Sequence, residues 1–559
     1  MGTAGASTWR ASLRVDLVAA LTVTLVGLPQ CLAYALMAGL PPAYGLSTAA
    51  VAGLVAALVG KSPHVVTGPT NTTGLLILAA MTPFLGPSGL VEADGLAALA
   101  TLTLMVGLVR LALGLLGGDK LLRYLPESVL AGFTAGAGVL IGVMQLDEAL
   151  GMTPFRGGGL WSQATAFATH FAAGDLPRLP AVAITVATVA SIAVGRRLAP
   201  RLPMALLSVV AGAIFARVVE GYGLGLLLVK DRASVPSGWP PGALPSLDPA
   251  LWAQFALPSL ALVLLGTLEL TVSARVEGAR PDMRREIFAQ GWANVAGAFA
   301  SAFPASASLT RSVLLRLGGA RTRVAAAVSA VAAAPILLFG AEAVGYIPQA
   351  SLAGVLLITA ASMLNRGRMA RIWLASRGSR GLLLVTFVAT LTLPLEAAIL
   401  VGCGLGLLIH LGVSADPNLN WLRVEGDVLS PLGPGEPAEV AVLEVSGTLY
   451  YAAVPAFFEH LQQTLPPGVR RVVVDLSHAH ELRFSALDGL ERTQKILSAR
   501  GATLGLAGVS EDFAAQLRRA RCTIPFEPAS RVPLASARAM LARPTGAPEA
   551  SDPPGPPPG

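Results

Sequence analysis

The residues best suited to chemistry in this 559-residue chain are polar groups set inside long apolar runs. Leu28-Pro29-Gln30-Cys31-Leu32-Ala33-Tyr34-Ala35 places Gln30 and Tyr34 four residues apart, on one face of a helix. Val66-Thr67-Gly68-Pro69-Thr70-Asn71-Thr72-Thr73 reads as a chain break followed by a helix start, with Pro in the first turn and Thr or Asn as cap. Phe303-Pro304-Ala305-Ser306-Ala307-Ser308-Leu309-Thr310-Arg311-Ser312 repeats that grammar. Two helices beginning within the bilayer aim free N–H groups and positive dipole ends at one point, an arrangement suited to an anion. Arg311 lies in an apolar run; it either adds a guanidinium fork to the anion site, pairs with Glu269, or reaches toward Arg316. Glu269, in Leu265-Gly266-Thr267-Leu268-Glu269-Leu270-Thr271-Val272-Ser273, is the carboxylate deepest in its span, a carrier for H⁺ or, with Ser273 one turn on, an oxygen ligand for Na⁺. A structural Gln–Tyr bond, a Pro kink or a Glu–Arg pair is the plain alternative for each motif.

These residues need elements to hold them. Hydrophobic residues make up 53% of the chain and charged residues 13%, with mean hydropathy +0.65, too little polar surface for a soluble protein of this size. Apolar runs long enough to cross about 30 Å of hydrocarbon recur from Asp16 to Ser414. Spans are expected near 14–36, 43–60, 67–85, 95–117, 126–146, 180–198, 202–220, 255–273, 284–302, 307–318, 322–341, 348–365, 381–393 and 396–414. The net charge of +7 does not mark a nucleic-acid surface, because the basic residues lie between apolar runs. With the N-terminus inside, eighteen Lys and Arg fall in cytoplasmic loops and four, Arg156, Arg178, Lys230 and Arg232, in external ones. The positive-inside rule then puts both termini in the cytoplasm. Cys31, Cys403 and Cys522 form neither a disulfide framework nor a metal site, and there is no catalytic dyad or triad.

A Pro/Gly-rich stretch, 223–254, divides the spans seven and seven, the arithmetic of an inverted repeat, and the short polar third span of each half points to the central site. The expected organisation is a cytoplasmic arm (1–13), a first transmembrane repeat (14–222), an external linker (223–254), a second repeat (255–415), a small α/β domain (438–545) and a disordered tail (546–559). Strands are expected at 440–446, 470–476 and 502–507, with helices at 455–465, 485–499 and 512–520. Gly402-Cys403-Gly404-Leu405-Gly406 reads as close helix packing rather than a phosphate loop.

Taken in order, Pro29-Gln30, Ala33-Tyr34-Ala35, Ala38-Gly39-Leu40-Pro41-Pro42, Tyr44-Gly45-Leu46, Gly68-Pro69, Gly132-Phe133-Thr134-Ala135-Gly136, Gln290-Gly291-Trp292-Ala293-Asn294, Arg311-Ser312 and Gly319-Ala320-Arg321-Thr322 resemble the SulP family of anion permeases. The resemblance covers about residues 10–545. It implies an α-helical polytopic membrane protein of 14 segments in a 7+7 inverted repeat with core and gate domains, a cytoplasmic STAS domain, a homodimer, and elevator-like alternating access. It implies an anion site at Gln30, Tyr34, Thr70, Asn71, Ser308, Thr310 and Arg311, with Glu269 and Ser273 for a coupling H⁺ or Na⁺ and no cofactor. The expected function is secondary transport of a small inorganic or carboxylate anion across a bacterial inner membrane; an uncoupled anion channel, a nucleobase-type permease and a membrane-anchored STAS signalling module are the alternatives. Two departures stand out: Thr70 replaces an aromatic residue of some relatives, and Phe484 stands where a STAS phosphoacceptor serine would be.

Overall fold

A computed structural model describes the whole chain except residues 1–2, 118–125, 154–159, 200–201, 220–224, 233–237, 276–281, 416–417, 426–427, 449–452, 481–483 and 529–559. Two compact units emerge, Met1–Leu407 and Leu408–Gly559.

The first unit is helical. Its longer helices are α1 (Thr3–Met37), α2 (Pro42–Val59), α3 (Asn71–Met81), α4 (Gly95–Leu115), α5 (Glu127–Met144), α6 (Leu179–Leu198), α7 (Met204–Val218), α8 (Pro249–Arg275), α9 (Met283–Ala298), α10 (Leu309–Leu317), α11 (Val324–Val331, resumed as Ala334–Phe339), α12 (Gln349–Met363), α13 (Arg377–Thr392) and α14 (Leu395–Ala415). Each apolar run read from the sequence falls on one of them. Among the described residues, seven helical stretches, α1, α2, α4, α5, α6, α8 and α12 with their extensions, are long and apolar enough to cross a membrane. Large apolar side chains such as Leu21, Val186, Ile214 and Val388 stand exposed, as lipid-facing positions require.

Packing follows a repeat. In one bundle α4 packs on α9 as α2 packs on α11, α4 on α8 as α1 on α11, and α3 on α8 as α1 on α10. In the other, α5 packs on α13 as α6 packs on α12. Exchanging the first seven helices for the second seven maps each of these pairs onto its partner. Small residues permit the approach: a Cβ on Gly107 of α4 would lie 2.7 Å from the Val295 nitrogen of α9, and one on Gly132 of α5 2.5 Å from the Leu383 carbonyl of α13. Gly402 and Gly406 of α14 likewise face Thr386 and Pro126, the packing role expected of that motif.

Three details differ from the sequence reading. Helix α1 begins at Thr3 rather than near residue 14, since no helix breaker precedes the first apolar run. Helices Leu160–Ala172 and Arg366–Ala375 occupy stretches that hydropathy leaves as loops. The linker 223–254 is anchored rather than free: Tyr44 donates to the Pro241 carbonyl at 2.5 Å, Trp239 to that of Ala300 at 3.1 Å, and Leu228 bridges to Pro348.

The second unit carries a sheet of order β4-β3-β5-β6-β7-β8, with β3 (Asn418–Glu425), β4 (Val428–Pro431), β5 (Val440–Thr448), β6 (Arg471–His480), β7 (Thr503–Val509) and β8 (Phe526–Pro528). Strands β5 to β8 are parallel, and helices α15 (Val454–Gln463), α16 (Phe484–Ala499) and α17 (Glu511–Arg519) accompany them. Leu443, Val472, Leu506, Phe457, Leu490 and Phe513 fill its core. The three central strands match the sequence reading; the β3–β4 hairpin begins the sheet ahead of residue 438. The phosphoacceptor comparison at Arg483 and the Phe484 side chain, and the tail 546–559, lie outside the described residues.

Candidate anion site

Two broken segments meet at the middle of the first unit. Strand β1 (Thr67–Gly68) pairs antiparallel with β2 (Ser306–Ala307), Thr67 opposite Ala307 and Gly68 opposite Ser306. The ladder is extended by Ser308 N–H donating to the Val66 carbonyl at 2.8 Å and Ser312 Oγ accepting from Val66 N–H at 3.0 Å. Because the strands are antiparallel, α3 and α10 leave them in opposite directions, each starting beside the other's strand. At 11 and 9 residues they are about 16 and 14 Å long, half a bilayer each.

Pro69 and Pro304 dictate the break, since neither can continue a ladder or sit inside a helix. Thr70 then caps α3 through a capping box with Thr73, and Ser308 caps α10 by accepting from Arg311 N–H. Helix α9 clamps the ladder from behind: Gln290 Nε2 donates to Thr67 Oγ1 at 2.5 Å, and Asn294 exchanges hydrogen bonds with both the N–H and C=O of Ala305. This is the structural use of the Gln290-Gly291-Trp292-Ala293-Asn294 motif.

A cavity of about 240 Å³ opens onto both helix starts. Gln30 and Tyr34 of α1, Thr70, Asn71 and Thr72 at α3, Glu269 of α8, and Ser308 and Thr310 at α10 form its inner end. Thr134 of α5 and Thr359 and Ser362 of α12 form the facing wall, so both bundles contribute. Asn365, Arg196 and Arg368 complete the outer lining. Seven of the nine site residues read from sequence thus line one space.

Arg311 and Ser273 are placed elsewhere. Arg311 is 4% exposed and lies behind the lining; its Nη2 donates to the Pro69 carbonyl at 2.6 Å and its Nη1 approaches Cys31 Sγ at 3.6 Å. It neither pairs with Glu269 nor faces the cavity; it ties the start of α10 to the turn before α3 and sets a positive charge behind both. Gly68 makes room for it, since a Cβ there would stand 2.9 Å from Nη1. Ser273 is buried beyond the cavity lining, its hydroxyl without a partner among the described residues.

Glu269 is held by α3 instead. Thr70 Oγ1 donates to its carboxylate at 3.2 Å, and Thr72 Oγ1 donates to it as well. The acidic group therefore sits at the positive end of a half-helix, where it competes with any bound anion for the same field.

Sequence reading missed Arg110, on α4 within Leu104-Met105-Val106-Gly107-Leu108-Val109-Arg110-Leu111. It is 1% exposed, and its Nη1 donates to the Ala305 carbonyl at 2.8 Å and to Gln290 Oε1 at 3.4 Å. A lone Arg in an apolar run is the signal that flagged Arg311, and it applies equally here.

Such a helical membrane fold, with opposed half-helix N-termini around a polar cavity, is that of an anion transporter. The chain belongs to the sulfate permease family, which it matches over residues 13–386, and residues 436–527 match the STAS domain. It is 26% identical over 544 residues to a probable sulfate transporter 4.2 of Arabidopsis thaliana, covering 92% of this chain and 78% of that one. It is 27% identical over 522 residues to a probable sulfate transporter of Mycobacterium tuberculosis, covering 91% of each. Its fold is shared with the murine SLC26 family member A9 anion transporter in the inward-facing state, with a TM-score of 0.79 at 18% identity over 90% of this chain and 87% of that one.

Proposed function

We propose that this protein is a secondary transporter of a small oxyanion, with sulfate the first candidate from the names of its relatives, coupled to H⁺ or Na⁺ through Glu269. The observation that carries the reading is the meeting of two capped helix N-termini, hydroxyl-rich and backed by Arg311, at a cavity whose inner lining holds a carboxylate and no cation. First-turn N–H groups and the Thr and Ser hydroxyls supply donors to a tetrahedral or trigonal anion, and the dipoles supply the field. An ionised Glu269 in that field repels the anion; a proton on it, or a Na⁺ beside it, removes the repulsion, and this makes coupling obligatory.

The cavity wall is divided between the α1–α4/α8–α11 bundle and the α5–α7/α12–α14 bundle, so sliding one against the other opens and closes it. An elevator cycle with fourteen crossings in a seven-plus-seven inverted repeat fits that division. Arg196 and Arg368, at the cavity mouth, fall in loops that the charge rule assigns to the cytoplasm, so this state is open inward. The remaining parts of the proposal are a bacterial inner-membrane location, both termini cytoplasmic, and a homodimer.

Uptake of labelled sulfate into proteoliposomes, with and without an imposed H⁺ or Na⁺ gradient, tests the coupling. Wild-type uptake should respond to one of the gradients and Glu269→Gln should not. A Glu269→Gln protein with the full gradient response sinks the assignment, and unitary conductance steps would make the protein a channel.

A further inference from the structure

Two buried guanidiniums flank the β1–β2 ladder, and among the described residues neither has a carboxylate within ion-pair distance. Arg311 holds Pro69, as above. Arg110 lies on the other side, pressed against α8: a Cβ on Gly266 would come within 1.8 Å of its Nη2 and 3.0 Å of Ser306 Oγ. Ser306 Oγ donates to the Gly266 carbonyl at 3.0 Å. Glu269 is one turn further along that same helix, with Ser306 between it and Arg110, and Arg110 is the cation within its electrostatic reach. Arg110 Nε and Arg311 Nε both remain unpartnered. Unpaired charge in a low-dielectric interior is unfavourable until something neutralises it.

The groups facing Glu269 from each neighbouring element make the count simple. From α4 comes Arg110, from α10 Arg311 beyond the ladder, from α3 the hydroxyls of Thr70 and Thr72, and from α1 Tyr34 and Cys31. Helix α9 contributes Gln290 and Asn294 there. Its charged residues, Arg284, Arg285 and Glu286, sit at its first turn and bind Gly114, Val59 and the Lys61 and Ser62 N–H groups. Arg196 and Arg368 are at the mouth, where water screens them.

We propose that Arg110 is a specificity-determining charge: with Arg311 it gives the site two fixed positive charges against the one carboxylate of Glu269. The site is then neutralised by a monovalent anion when Glu269 is ionised and by a divalent oxyanion when Glu269 carries a proton. One proton therefore enters with each divalent anion and none with a monovalent one. The inference rests on the reading of this cavity as the anion site and adds which anion charge it takes in each protonation state.

The test is calorimetric binding of sulfate and of nitrate to the purified full-length protein at constant ionic strength between about pH 5 and 8. Sulfate affinity should rise as pH falls, by up to about tenfold per pH unit, the linkage for one proton per anion, while nitrate affinity should not. Arg110→Met should weaken sulfate on the order of tenfold more than nitrate, because the lost charge acts twice on a divalent ion. Arg110→Lys, which keeps the charge, should preserve the ratio, and Glu269→Gln should bind sulfate independently of pH. Equal pH responses of sulfate and nitrate in the wild type, or equal losses in Arg110→Met, overturn the proposal while leaving the anion site standing. Absence of any anion binding overturns the site itself. Should Arg110→Met fail to fold, the wild-type and Glu269→Gln pH profiles decide alone.

Discussion

Replacing Gly68 with alanine probes the joint between the two half-helices. The added Cβ would lie 2.9 Å from Arg311 Nη1, 3.1 Å from Nη2 and 3.3 Å from the Ala49 Cα. The backbone contact cannot give way, because α2 is packed on both α1 and α9, so the guanidinium must move. Its hydrogen bond to the Pro69 carbonyl, at 2.6 Å, then breaks. A hydrogen bond from a charged group contributes about 1.5–3 kcal/mol, and overpacking a tight interior costs about 1–3 kcal/mol. Because relaxation shares these terms, the net loss should be about 2–4 kcal/mol. It should divide between folding, read as a lower thermal transition of the purified protein, and binding, where about 2 kcal/mol means roughly thirtyfold weaker sulfate affinity. In the Arg311→Met background the same Gly68→Ala change should have little effect, since the clashing atoms are gone. A Gly68→Ala protein with unchanged transition temperature and sulfate affinity would refute the argument, as would an equal loss in the Arg311→Met background.

Other outcomes follow from the same geometry. Ser308→Ala removes the cap of α10 and should reduce sulfate affinity about fivefold, for a cap contribution of about 1 kcal/mol, measured by calorimetry. Asp282, which caps α9 at the membrane surface, has its carboxyl held below the ordinary range by the Arg285 N–H and by Lys61. Its stabilising contribution is present above the unfolded-state value and fades as pH falls through the depressed folded one, so Asp282→Asn should lower the thermal transition at pH 7 and not at pH 3. Residues 408–559 form a compact unit of their own, so truncation after Leu407 should leave measurable sulfate flux in proteoliposomes; loss of flux with a folded membrane unit would make the STAS domain part of the transport cycle.

Much of this arrangement was legible in the residues because membranes make polar groups conspicuous. Pro69 and Pro304, followed by Thr70 and Ser308, announce a broken helix and its cap by local chemistry alone, and Glu269 stands out as a carboxylate among Leu and Val. What the chain could not disclose was direction. Arg311 occupies the third position of α10, and whether its long side chain enters the cavity or turns back to Pro69 depends on Gly68, 243 residues away. Ser273 shares a helix face with Glu269, yet the cavity ends before reaching it. Arg110 was overlooked because its run reads as an ordinary span, and its partners, Ala305 and Gln290, come from the opposite half of the chain. Periodicity found the central strands of the C-terminal unit but not the β3–β4 hairpin, whose Asn, Arg and Glu residues weaken the apolar alternation.

The measurement that bears most directly on the whole account is the position of a bound anion. Selenate, a heavy sulfate surrogate, soaked into the purified protein should give density at the inner end of the cavity, within about 3.2 Å of the Thr70 or Ser308 hydroxyls and first-turn N–H groups. Density confined to Arg196 and Arg368 at the mouth, or none at saturating selenate, would contradict the claim that two opposed helix starts form the transport site.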